Sequence, residues 1–144
     1  MKKIMKLENM VAIITGSGGG IGRAVALRYA KEGAKCVVVD INGKNADLVA
    51  KEIKSFSGNV LNLEMDVREQ SDIDKTINLT LKSFNTIDIL FNNAGIFDMA
   101  PFFESTRESY NNIFEVNVKG MFFMNTSLTV RKGLSQKLSI LYWI

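Results

Sequence analysis

Eight consecutive residues, Thr15-Gly16-Ser17-Gly18-Gly19-Gly20-Ile21-Gly22, have the types and spacing of a phosphate-binding turn. They follow a continuous apolar run, Val11-Ala12-Ile13-Ile14, and precede a helical pattern of Ile21, Ala24, Val25 and Tyr29. Strand, glycine turn and helix, in that order, is the context that gives such a motif its meaning. Gly16 lets the chain turn sharply off the strand, Gly20 keeps a Cβ out of the path of a pyrophosphate, and Gly22 lets the helix lie close to the sheet. The helix N-terminus then presents N–H groups and the positive end of its dipole to the phosphates. The plainer alternative is a glycine turn that merely caps a helix.

Later apolar runs close on polar residues as well. Asp40 follows Cys36-Val37-Val38-Val39, Asp66 follows the run 60–65, and Asn92-Asn93 follow the run 87–91. Each alone is a common turn former. Together with the glycine loop they describe one binding rim at the carboxyl ends of parallel strands. Asp40 stands 18 residues after Gly22, close to the spacing of the acid that holds adenosine ribose hydroxyls. Its carboxylate accepts from hydroxyls and repels a 2′-phosphate. The loop contains no Arg or Lys, Ile41 follows the acid, and Lys44 is the nearest cation. The cofactor expected on these grounds is NAD rather than NADP.

The elements needed to hold this rim are legible in the periodicity. Strands are expected at 11–15, 36–39, 60–65 and 87–91, with a short fifth near 138–141. Helices are expected from Ile21 to Lys31, with Gly33 as the stop, then on the stripes Ala46, Val49, Ala50, Ile53 and Ile73, Ile77, Leu81, Phe84. A loop around 95–101 leads to one last helix carrying Tyr110, Ile113, Phe114, Met121 and Met124. Alternating strands and helices with near-continuous apolar strands mean a parallel α/β sheet covered on both faces, of the doubly wound Rossmann type, in the order 3-2-1-4. Asn117 lies on the apolar stripe of the last helix. A polar amide there needs partners, either neighbouring backbone or a water in a proton relay.

Composition narrows the function classes. The 144 residues are 47% hydrophobic and 23% charged, ordinary for one soluble domain with a real core. The net charge of +3 comes from scattered basic residues, the only N-terminal cluster being Lys2, Lys3 and Lys6, so no nucleic-acid role is indicated. No apolar run reaches membrane-span length, and the lysines at the start have no apolar segment typical of a signal peptide. One cysteine, Cys36, rules out a disulfide within the chain and fits a cytoplasmic setting. The absence of histidine excludes Ser-His catalysis in this chain, and no metal site is expected.

Thr15-Gly-x-x-x-Gly-Ile-Gly22, Asp66-Val67 and Asn92-Asn93-Ala94-Gly95 together resemble the motif set of the short-chain dehydrogenases/reductases, over about residues 7–127. The resemblance implies that Gly16, Ser17, Gly20, Ile21 and Gly22 form the cofactor loop. It implies that Asp66 and Val67 contact the adenine, and that Asn93, Ala94 and Gly95 line the cofactor and steady the central strands. Glu115-Val116-Asn117-Val118 is similar to the family segment that carries its catalytic Asn, here Asn117. Asp40-Ile41-Asn42, Phe97-Asp98, Ala100-Pro101 and Thr106-Arg107-Glu108-Ser109-Tyr110 look most like the zinc-independent sorbitol (L-iditol 2-) dehydrogenases, which implies a polyol substrate.

The family's proton chemistry needs a Tyr with a Lys four residues on, whose charge lowers the phenol pKa, and a Ser that binds the same substrate oxygen. Here Tyr29 is followed at that spacing by Gly33 and Tyr110 by Phe114, while Tyr142 is two residues from the last. Neither Ser135 nor Ser139 is assigned the serine's role, and residues 132–144 do not continue the family pattern. The expectation is therefore the cofactor-binding half of a dehydrogenase, ending after about four strands in a tail produced by an early stop or frameshift. Such a chain is inactive alone and prone to self-association through an uncovered fourth strand and last helix. The competing expectation is a non-catalytic dinucleotide-binding or interaction module.

Overall fold

The computed structural model describes residues 5–132 and 138–142. Five parallel strands, β1 (Val11–Thr15), β2 (Lys35–Asp40), β3 (Val60–Glu64), β4 (Ile89–Asn92) and β5 (Ser139–Tyr142), lie in the order β3-β2-β1-β4-β5. The central strands β1 and β4 bury their side chains on both faces, so they need no polar alternation and every residue of each is buried. Val11 and Ile13 point into one core with Val37, Val39, Ile73 and Ile77. Ala12 and Ile14 point into the other, with Cys36, Val38, Ala26, Ala46, Val49 and Ile53.

Helices α1 (Gly20–Lys31) and α2 (Gly43–Ser55) cover the second face, and α3 (Gln70–Phe84) covers the first. Helix α1 buries Gly22, Ala26 and Ala30, small residues four apart that bring its axis close to the sheet. Asn42 caps α2 by accepting from the Asn45 N–H, and Gly33 takes φ +90° just past the end of α1, as its position as a helix stop requires.

The last third departs from expectation in its helix and in how well it is covered. The expected single helix is a 3₁₀ turn (Phe102–Glu104), α4 (Arg107–Phe114), a π-helical stretch (Glu115–Gly120) and α5 (Met121–Lys132). At the π stretch Gly120 sits against Val67, where a Cβ would come within 2.7 Å of a valine methyl, so the wider turn accommodates a close approach. The short fifth strand expected near 138–141 is β5, and it pairs with β4 along its whole length, Ile89 with Ser139 through Asn92 with Tyr142, so the fourth strand is not uncovered. Met124, expected to be uncovered, is fully buried together with Leu128, because α5 packs on the sheet face beside α3. Residues 133–137 and 143–144 of the expected divergent tail, Ser135 among them, lie outside the described residues.

Candidate functional site

The chain winds from β1 outward to β3, then returns to β4 on the other side of β1. That reversal opens a crevice beyond the carboxyl ends of β1 and β4, the place where open α/β sheets take ligands. Gly16 follows β1 and turns with φ +60°. A Cβ on it would lie 2.8 Å from the Ala94 Cα, so the segment after β4 closes directly onto the turn.

Asn93 fastens this closure. Its Nδ2 donates to the Thr15 carbonyl at 3.0 Å and to the Gly16 carbonyl at 2.9 Å. The backbone N–H groups of Asn93 and Ala94 both donate to Thr15 Oγ1, at 2.9 and 3.0 Å. Gly22 completes the packing, since a Cβ there would lie 2.4 Å from the Gly16 carbonyl oxygen. By contrast, a Cβ on Gly19 or Gly20 would meet no atom within 4 Å. The loop is thus tight against the protein and open toward the crevice. No side chain caps the N-terminus of α1 and no acid lies in its first turn, which leaves that end suited to an anion.

Ser17, expected in the cofactor loop, can serve it only through its backbone. Its side chain is fully buried, its hydroxyl donates to the Ile14 carbonyl at 2.7 Å, and it accepts from the Val39 N–H at 3.0 Å. It ties β1 to β2 and presents no side-chain surface to a ligand.

Two clefts flank the segment Asn93–Ile96. One, of about 440 Å³, is lined by Gly16 and Gly19 of the turn, by Asp40 and Ile41 after β2, by Asp66, Val67 and Arg68 after β3, and by Asn93 through Ile96. The other, of about 560 Å³, is lined by Gly20 and Ile21, Asn92 through Phe97, Asn117 and Met121. Asp40 and Asn93 therefore share one wall, as the topology required. Asp40 accepts from the Gly18 N–H at 2.8 Å and from the Asn42 N–H at 2.9 Å. Its carboxylate shapes the glycine loop as well as the cleft.

Asn117 sits on the π stretch, half-buried, facing the second cleft. Its Oδ1 accepts from the Ile96 N–H at 2.9 Å and its Nδ2 donates to the Ile96 carbonyl at 2.8 Å. The stripe on which it was read is not uniformly interior: Tyr110 and Phe114 are exposed and stacked on each other.

Sequence reasoning missed two groups. Arg68, not Lys44, is the cation on the first cleft. It grips Asp66 with Nε at 3.0 Å from both carboxylate oxygens and Nη2 at 2.6 Å from Oδ2, while its backbone N–H adds a bond at 2.9 Å. These bonds hold the Asp66 carboxyl below the usual carboxylate range and the guanidinium above its own. The signal was available, since Arg68 lies two residues from Asp66. The second is a chain of amides: Asn92 Nδ2 donates to Asn125 Oδ1 at 3.0 Å, and Asn125 Nδ2 donates to the Tyr142 hydroxyl at 3.1 Å. Only the pairing of β4 with β5 brings these three together.

No helix among the described residues is long and apolar enough to cross a membrane. The described residues contain no group of three His, Cys, Asp or Glu able to hold a metal ion.

Comparison with known proteins agrees with this geometry. The short chain dehydrogenase family profile matches residues 10–135. A sorbitol dehydrogenase of Cereibacter sphaeroides is 44% identical over 120 residues, which are 83% of this chain and 46% of that protein. A galactitol 2-dehydrogenase of Agrobacterium fabrum is 42% identical over the same shares. Among solved structures, a hydroxysteroid dehydrogenase from Escherichia coli superposes with a TM-score of 0.88 at 29% identity, covering 96% of this chain and 56% of that one. A 7α-hydroxysteroid dehydrogenase in complex with NADH and 7-oxo glycochenodeoxycholic acid gives 0.89 at 29% identity, covering 96% and 54%. The chain spans about half the length of the curated relatives it matches. On the profile match, the identities and the superposition, the chain belongs to the short-chain dehydrogenase/reductase family.

Proposed function

We propose that residues 1–144 form one dinucleotide-binding Rossmann domain that takes NAD across the two clefts and serves hydride transfer to or from a polyol or related secondary alcohol. The observation that carries the reading is the glycine turn, held shut by Asn93 and open only toward the crevice at Gly19 and Gly20. The residues fit such a group. Gly16, Gly20, Ile21 and the N-terminus of α1 would face the pyrophosphate, and Gly22 would keep the helix close. Asp40 would receive the adenosine ribose hydroxyls, Asp66 and Val67 would flank the base, and Asn93, Ala94 and Gly95 would form the floor between the two halves.

The nicotinamide, when bound, supplies the hydride chemistry. Asn117 would hold the backbone of Ile96 at the edge of the second cleft, and in the family reading it also steadies a water in the proton path. Residues 1–144 would bind and orient the dinucleotide, and the Tyr-x-x-x-Lys pair that would move the substrate proton is not among them. The polyol reading rests on the likeness to the sorbitol and galactitol enzymes. We also expect a cytoplasmic setting and self-association through the exposed aromatic face of α4 and the π stretch.

A fluorescence titration with NADH and NADPH tests the binding. Saturable NADH binding, weaker NADPH binding and no sorbitol-dependent NADH formation are expected. Folded protein that ignores millimolar NADH would sink the reading. In the second reading, a non-catalytic dinucleotide-binding module, the two Asn117–Ile96 bonds serve the fold alone. That reading predicts the same binding, with no activity recovered by any added partner.

A further inference from the structure

We propose that Arg68 is a specificity-determining residue of the adenine end of the first cleft: it occupies the Asp66 carboxylate, so this chain accepts the purine without reading its 6-amino group. The inference rests on the dinucleotide reading of the cleft and refines the expectation that Asp66 contacts the base.

Three observations carry it. Asp66, Val67 and Arg68 are successive lining residues of one cleft wall. Both Asp66 oxygens are engaged by the guanidinium, Oδ1 by Nε and Oδ2 by Nε and Nη2, and Oδ1 also takes the Arg68 N–H. A planar guanidinium on a carboxylate in this side-on form is a charge-assisted pair with geometric rigidity. An exocyclic amine is a weaker neutral donor and must compete with the guanidinium and the Arg68 N–H for the carboxylate oxygens. What remains for the base is the apolar wall of Ile41, Met65, Val67 and Val116 and the face of the guanidinium, neither of which distinguishes one purine edge from another. Glu69 and Glu115 also act on Arg68 from the loop and from the π stretch, so the guanidinium is held in an acidic surround with Asp66 as its direct partner.

The probe pair is NADH and its analogue with hydrogen in place of the adenine 6-amino group, which keeps the ring acceptors unchanged. With the full chain, the two should bind within about threefold of each other, because no hydrogen bond to the amine is lost. In Arg68→Gln the freed carboxylate should favour NADH by about tenfold, the value of a hydrogen bond to a charged acceptor. Arg68→Lys should fall between, since a point charge holds the carboxylate without the planar fork. Tenfold discrimination already present in the unmodified chain, or a ratio unmoved by Arg68→Gln, would overturn the inference and leave the dinucleotide reading standing. Binding of neither nucleotide would overturn both.

Discussion

One oxygen of Asp40 holds the Gly18 N–H and the other the Asn42 N–H. Replacing it with Ala therefore loosens the glycine loop and removes the acceptor proposed for the ribose. Asp40→Ala is expected to weaken NADH about tenfold, or about 1.4 kcal/mol, and to narrow its advantage over NADPH. Equal affinities in wild type and variant would refute the assignment. Asn93→Ala should act on the fold instead. It strands the Thr15 and Gly16 carbonyls, each served by the same amide nitrogen, at about 1–3 kcal/mol per buried unsatisfied group. A urea midpoint unchanged from wild type would rule this out. Asp66 gives the pH signature. Its folded pKa is depressed, first by the Arg68 side-chain hydrogen bonds. A depressed acid stabilises the fold above its unfolded pKa and loses that contribution only as pH falls through the lower folded value. Its carboxyl resonance should therefore titrate below the ordinary carboxylate range in wild type and move upward in Arg68→Gln. Asp40 and Asn93 were legible because chain spacing places them. The buried clamp made by Ser17 was not, because its partners Ile14 and Val39 lie on different strands.

At the scale of elements, the strand–turn–helix unit separates fold from ligand through two glycines that stand two residues apart: Gly22 faces protein and Gly20 faces space. A methyl on Gly22 would lie 2.4 Å from the Gly16 carbonyl oxygen and 2.5 Å from Asn93 Nδ2. Gly22→Ala should destabilise the protein by about 1–3 kcal/mol through overpacking. Gly20→Ala meets no atom, but its φ of +50° carries strain of about 1–2 kcal/mol, and its methyl points at the proposed phosphate path. It should lose far more NADH affinity than stability, and the reverse order in a paired melt and titration would contradict the proposed cradle. The strands and first three helices follow from periodicity because each buries one continuous stripe or run. The break at Glu115–Gly120 does not, since it depends on Val67 arriving against Gly120 from another part of the chain. Likewise the partner of β4 is set by a register no single strand reveals.

For the whole molecule, the two cores close well around β1, β2 and β4, yet one flank remains apolar. Tyr110, Phe114, Val118 and Phe122, spaced four apart, are 56%, 44%, 48% and 58% exposed. Phe97, Met99, Phe102 and Phe103 add four more apolar side chains at 81–94% exposure on the loop beside the second cleft. Scattered apolar residues are normal on a surface, but a contiguous patch marks an interaction face. The sequence pointed to an exposed apolar face by a partly mistaken route. It expected β4 to have an open edge or only the short fifth strand as a poor partner, and Met124 to be uncovered, whereas β5 pairs with β4 along its whole length and α5 buries Met124 against the sheet. What remains exposed is the outer stripe of the same helical run. Burying one such side chain contributes about 1.5–3 kcal/mol, so two copies of a four-residue stripe meeting face to face approach the stability of a typical domain, about 5–15 kcal/mol. The chain should therefore sediment as a concentration-dependent oligomer. Phe114→Asp together with Phe122→Asp should shift it toward monomer while leaving the melting temperature of the dilute protein nearly unchanged, because neither ring lies in the cores. A monomer at all concentrations before any substitution would show that this face stays solvated.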